Sequence, residues 1–195
     1  MMGKRLSPHL RLDFDLTGTK PKVLDSVVAF RGKKLEIVRE TLSWGRKEAA
    51  VETIVHPGAV AILAVTADGR VILERQYRHS VNRFLYEVPA GTLEPGEEPA
   101  DCASRELLEE TGYRAISLKK LGAIFTAPGY SSEVLHLFTA RAVRVGGQRL
   151  EDDEAISVSL HDPKETLKLV MASGFSDAKS MVLLQMAAAD PSLLD

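Results

Sequence analysis

The sequence predicts an α+β fold: a mixed sheet between helices over residues 57–195, preceded by an N-terminal antiparallel β meander within residues 1–56. Three observations predict it. Strand and helix patterns are interspersed without the strict alternation of a parallel α/β fold. Residues 21–56 alternate and are rich in β-formers. The run His56-Pro57-Gly58 then breaks that pattern and marks a boundary.

Taken in order, residues 1–8 have little to anchor them. KVLDSVVAF, KKLEIVRETLSW and EAAVETIVH read as three strands, with a turn at Gly32-Lys33 between the first two. A meander of this size has two faces and cannot cover both by itself, so a second subunit is expected against it. AVAILAV is a buried strand, Ala67-Asp68-Gly69 a hairpin turn and RVILERQY its partner. FLYEVPAG reads as one short strand, followed by a helix beginning near Pro99. SLKKLGAIF and EVLHLFTARAV are strands on either side of TAPGYSS. A polar loop, GGQRLEDDE, leads to a last strand, AISVSLH. Two helices follow, from Pro163 to Ser173 and from Asp177 to Ala189, the second capped by Ser176 or Asp177.

Bulk properties exclude several classes. The 195 residues suffice for one sizeable core, and 45% apolar with 27% charged residues is ordinary for a globular protein. A net charge of −2 gives no electrostatic reason to bind nucleic acid or a membrane surface. No apolar run reaches membrane-spanning length, and MMGKRLSPHLRLDFD has no signal-peptide core, so a cytoplasmic location is expected. The single cysteine, Cys102, excludes an intrachain disulfide and is expected to be a small buried hydrophobe.

Residues 91–113, GTLEPGEEPADCASRELLEETGY, carry the chemistry. Glu106 and Glu110 are four apart and share a helical face, with Glu109 beside them. Two carboxylates about 4 Å apart repel by roughly 4 kcal/mol at an effective dielectric near 20. Gathering three of them makes sense when a cation sits among them, and oxygen-only donors suit Mg²⁺ or Mn²⁺, which would grip a diphosphate. Gly91 and Gly112 allow the backbone to turn tightly on either side. A lone ExxEE on an acidic helix would be unremarkable. The full pattern fixes seven identities, from Gly91 through Glu97 and Arg105 to Gly112. At about 1 in 15 each, chance yields it on the order of 10⁻⁸ per starting position.

This spacing resembles the Nudix box of hydrolases that split nucleoside diphosphates linked to another moiety. Tyr113 stands where an aliphatic residue is commoner in that family. The resemblance implies an α/β/α sandwich over residues 57–195. Flanking features resemble the ADP-ribose pyrophosphatase subfamily: Pro128, fifteen residues beyond the box, the stretches EAAVETIVHPGAVAIL and ERQYRHSVNRFLYEVPAG, and an acidic loop ending EDDEA. In that subfamily the meander exchanges with a partner subunit to build a homodimer.

The resemblance implies roles for individual residues. Glu106 and Glu110 are the principal metal ligands, with Glu109 assisting and the Ala90 carbonyl as a further ligand. Arg78 reaches the substrate's phosphates, where a planar guanidinium suits a diphosphate. Arg46 and Glu48 approach the partner's site, to hold the distal phosphate or the adenine, or else are solvated charges on a hairpin. Trp44 stacks on a base or packs beside the turn. Within the acidic loop of Glu151, Asp152, Asp153 and Glu154, register against AISV makes Glu154 the best match to a glutamate that orients or deprotonates water. The implied reaction is Mg²⁺- or Mn²⁺-assisted hydrolysis of ADP-ribose, a small-molecule substrate, to AMP and ribose 5-phosphate, with Glu154 or a box glutamate as base. Hydrolysis of other nucleotide sugars or dinucleotides stays open. Pro128 and the meander argue against an oxidised-nucleotide triphosphatase. A non-catalytic ADP-ribose sensor would usually have lost box carboxylates, and here all are present.

Overall fold

The computed structural model describes residues 20–32, 35–150, 155–171 and 176–194. Residues 1–8, the turn residue Lys33, the acidic residues 151–154 and the expected helix end at Ser173 lie outside the described residues.

The β-rich run forms three antiparallel strands, β1 (Lys22–Arg31), β2 (Glu36–Ser43) and β3 (Glu48–Val55), with β2 in the centre. β1 is exposed along its whole length, and Val23, Leu24, Val27, Val28 and Phe30 are each about half exposed. β3 ends against the turn that carries Pro128. There the Ile54 N–H donates to the Tyr130 carbonyl at 2.8 Å, and the Ser132 N–H donates to the Ile54 carbonyl at 3.0 Å.

The second sheet runs in the order β10 (Ile156–His161), β5 (Val71–Arg78), β4 (Ala59–Thr66), β9 (Val134–Arg144), β8 (Tyr113–Phe125). β4 and β9 are parallel and the other neighbours antiparallel, so the sheet is mixed as expected. All eight residues of β4 are buried, which its unbroken apolar run requires. Its alternation divides the core. Val60, Ile62 and Ala64 face α1 (Pro99–Thr111) through Cys102, Ala103 and Leu107. Ala59, Ala61 and Leu63 face α3 (Ala178–Ala189) through Leu183, Leu184 and Ala187, with Leu167 of α2 (Pro163–Met171) packed alongside. Each fully buried leucine or isoleucine is worth about 1.5–3 kcal/mol relative to exposure, and β4 places one in each layer, Ile62 toward α1 and Leu63 toward α3. Asp177 caps α3, its carboxylate accepting from the Ser180 N–H. Among the described residues no helix is long and apolar enough to cross a membrane.

One expectation changes. FLYEVPAG is two strands, β6 (Arg83–Glu87) paired with β5 and β7 (Ala90–Thr92) paired with β4. Pro89 has no N–H for a ladder, so the chain passes there from one partner strand to the next. The Pro89 carbonyl still accepts from the Ile62 N–H at 2.9 Å. This crossover delivers Ala90 and Gly91 to the side of α1.

Candidate active site

α1 starts on Pro99 at its first turn and stops at Gly112, whose φ of 74° is left-handed. A side chain at Gly112 would also meet the Gly146 carbonyl oxygen at 2.5 Å. The apolar stripe Cys102, Ala103 and Leu107 fixes the helix on the sheet, which turns Glu106, Glu109 and Glu110 toward a cavity of about 590 Å³. That volume is in the range of small-molecule sites. The same cavity is lined by Gln76, Arg78, Ala90, Gly91, Arg105 and Arg149.

Arg105 organises the box. Its guanidinium donates to both Glu97 oxygens at 2.8 and 2.9 Å, to Glu106 at 2.8 Å and to Glu109 at 3.2 Å. The hydrogen bonds from Arg105 hold the Glu97 carboxyl down at about 2, and Glu97 in return accepts from the Glu94 N–H at 2.9 Å, closing the loop onto the helix. Glu110 is buried, and one of its oxygens accepts from the Ala90 N–H at 3.0 Å. Gly91 lies against Glu106 so closely that a Cβ there would sit 1.9 Å from the carboxyl carbon. Gly91→Ala is therefore expected to displace Glu106 and lower kcat/KM by about 10²-fold, as a 1 Å misplacement can. Steady-state kinetics alongside a melting curve checks this, since the fold should survive.

Behind the box lies a second ionic group. Glu87 accepts a bidentate pair from Arg78 at 2.8 and 2.7 Å and a further bond from Lys179, which also donates to Asp177 at 3.0 Å. Burial opposes the charge on Glu87, but Arg78 and Lys179 outweigh it and hold the carboxyl below its ordinary range. Glu74 is directly opposite Glu87 in the ladder and only 2% exposed. Burial first, then repulsion from Glu87, pushes its carboxyl up to about 8.

The sequence-derived residues thus divide. Ala90, Glu106, Glu109, Glu110 and Arg78 line one cavity. Arg46 and Glu48 are exposed at the β2–β3 hairpin, and Pro128 is exposed in the turn after β8; none of the three lines that cavity in this subunit. Trp44 is half exposed at the same hairpin. Glu154 lies outside the described residues. Sequence reasoning missed Gln76, Glu74, Glu87, Lys179 and Arg149. The first two carry a readable signal, because Ile72, Glu74, Gln76 and Arg78 alternate along β5 and share the face toward α1. Arg149 is placed by its backbone N–H, which donates to the Glu109 carbonyl at 2.7 Å.

Among the described residues, no three carboxylate, imidazole or thiol groups converge as a ready-made ion site. Arg105 explains this by drawing Glu106 and Glu109 to itself. The donor set nevertheless fits a hard divalent cation: oxygen donors, a glycine hollow that leaves room for the Glu106 carboxyl, and a buried Glu74 Oε1 without a hydrogen-bond partner beside Glu110.

Comparison with known proteins agrees with this geometry. The family model described as NUDIX domain matches residues 55–181. An ADP-ribose pyrophosphatase of Bacillus subtilis (strain 168) is 41% identical over 159 residues, covering 80% of this chain and 86% of that protein. A methanol dehydrogenase activator of Bacillus methanolicus is 30% identical over 167 residues, covering 84% and 90% respectively. A crystal structure described as an ADP compounds hydrolase superposes with a TM-score of 0.73 over 88% of this chain and 94% of that one; at 23% identity it speaks to the fold alone.

Proposed function

The chain belongs to the Nudix family, and on that premise we propose that it hydrolyses the diphosphate of ADP-ribose to AMP and ribose 5-phosphate, or that of a related nucleoside diphosphate sugar to the matching nucleoside monophosphate and sugar phosphate. The observation that carries this reading is the cavity in which an intact Nudix box faces Arg78, in a chain 41% identical to an ADP-ribose pyrophosphatase. Glu106 and Glu110, with the Ala90 carbonyl and assistance from Glu109, would hold Mg²⁺ or Mn²⁺. When bound, the ion supplies positive charge against the diphosphate and acidifies a water. Arg78 adds a guanidinium whose orientation is set by its two bonds to Glu87, so little rotamer freedom is lost on meeting a phosphate. Water adds its oxygen to one phosphorus, the bridging P–O bond breaks, and the attacking water's proton passes to Glu154 or a box glutamate. Phosphate release coupled to a phosphatase, across ADP-sugars, dinucleotides and nucleoside triphosphates with Mg²⁺ or Mn²⁺, tests the assignment. Preference for triphosphates would overturn it.

The same reading includes a cytoplasmic homodimer in which residues 1–56 serve as the dimerisation element and 57–195 as the hydrolase domain. Five half-exposed apolar side chains on β1 support it, because so much exposed apolar surface on one strand calls for a cover. Exchange of meanders would carry Arg46 and Glu48 to the partner's cavity. Sedimentation at micromolar concentration is expected to show a dimer. A fully active monomer would remove the basis for the exchange.

A further inference from the structure

We propose that Lys179 is a positioning residue for substrate binding, which fixes the Glu87 carboxylate from the start of α3 and through it the edge of Arg78 that faces the cavity; this rests on the reading of Arg78 as a phosphate contact. Three observations carry it. Arg78 meets Glu87 side-on, its Nε and Nη2 donating to the two carboxylate oxygens at 2.8 and 2.7 Å. That pair occupies one edge of the guanidinium, and the other edge, formed by Nη1 and Nη2, is the one able to meet a phosphate. Arg78 lines the cavity with its side chain 40% exposed, whereas the Glu87 side chain is 2% exposed, so the carboxylate is the buried anchor and the guanidinium the open end. Lys179 donates to the same Glu87 oxygen as Arg78 Nη2, and to Asp177 Oδ1 at 3.0 Å.

The bond from Lys179 is what fixes a direction. A carboxylate and a guanidinium joined by two parallel bonds can still swing as one unit about the glutamate side-chain torsions. A bond from a separate rigid element removes that swing. Lys179 supplies it from the second residue of α3, the helix packed on the face of β4 opposite to α1. Lys179 is itself held, because Asp177 caps α3 through its other oxygen, which accepts from the Ser180 N–H at 2.9 Å. The Ser180 hydroxyl in turn accepts from the Val88 N–H at 2.8 Å. The start of α3 is thus tied to the end of β6 twice, through the Val88 backbone and through Lys179. Docking of the helix does not explain the second tie, since Leu183, Leu184 and Ala187 already bury its apolar side. Stability does not explain it either, because a well-packed apolar pair in place of a buried ion pair is often as stable or more so. What the ionic chain adds over an apolar pair is a set direction for Arg78.

The test is steady-state kinetics of the full chain with Mg²⁺, on the substrate of the panel above that the parent turns over best, with a melting curve for each variant. Lys179→Met is expected to raise KM about tenfold while kcat stays within about threefold, the pattern of a lost binding contact. Glu87→Gln leaves one acceptor oxygen for Arg78 in place of two and is expected to raise KM by a similar factor. The double variant should be no worse than about twofold beyond either single one, because residues that act in one chain are not additive. A lower Tm with parental KM in Lys179→Met makes the lysine a structural ion pair and overturns the proposal. So does a double variant in which the two KM effects multiply, since Lys179 would then act by a route other than Glu87. Should Lys179→Met fail to fold, Glu87→Gln carries the test, as it removes the buried charge itself, and a parental KM in it overturns the proposal. Arg78→Ala is the control for the underlying reading. If its KM is parental, the phosphate contact fails and the role of Lys179 with it; if its KM rises while that of Lys179→Met does not, only the role of Lys179 fails.

Discussion

Glu110→Gln is expected to lower kcat/KM by at least about 10³-fold, which is about 4 kcal/mol of barrier at 1.36 kcal/mol per decade. The fold should be unaffected. Glu110 is buried and its oxygen accepts from the Ala90 N–H, a bond that the amide oxygen of glutamine can still accept. The amide also preserves volume, so neither the packing of Leu107 nor the stop at Gly112 is disturbed. What disappears is a negative charge in a place with little water, where its attraction for a divalent cation is least screened. The loss should be steeper at low Mg²⁺ and partly recovered at high Mg²⁺, because affinity for the ion is the property removed. Kinetics across an Mg²⁺ titration, with circular dichroism as the control for folding, measure this. A variant with near-parental activity would sink the assignment of the box.

The box helix was the most legible part of the sequence because its signals are local. Pro99 at the first turn, Gly112 past the end and the apolar stripe at Cys102, Ala103 and Leu107 each act within a turn or two. The hairpin of β4 and β5 was legible for the same reason. The division of FLYEVPAG into β6 and β7 was not, since periodicity reports which way a side chain points and not which strand is its neighbour. Pro89 was the available clue. The ion pair of Lys179 with Glu87 spans 92 residues, and no spacing rule connects the start of α3 with the end of β6. Glu74 was legible only in part: its alternation with Ile72 and Gln76 along β5 was readable, its burial was not. A glutamate in a strand next to Arg75 reads as surface, and only the register Glu74↔Glu87 under α1 makes it interior. Arg46 and Glu48 illustrate a limit of a single subunit, because their expected role needs a second copy.

The second large effect concerns Glu154. Box glutamates that hold a cation are poor bases, because the cation occupies their lone pairs and depresses their pKa. A base from outside the box is therefore chemically attractive. The chain on both sides of the acidic run is anchored beside the box: the Arg149 N–H donates to the Glu109 carbonyl at 2.7 Å, and the Gln148 amide donates to the carbonyls of Glu110 at 2.6 Å and Ile156 at 3.2 Å. Glu154→Gln is accordingly expected to lower kcat by roughly 10²–10⁴, the usual range for losing a general base. KM and Mn²⁺ affinity should change little, because no binding contact is removed. Glu151→Gln and Asp153→Asn should be milder, since neither matches the position of the expected base. Single-turnover and steady-state kinetics of the three variants separate these outcomes. If Glu154→Gln is nearly silent, the water loses its proton to Glu109 or directly to solvent, and the acidic run has no part in the chemical step.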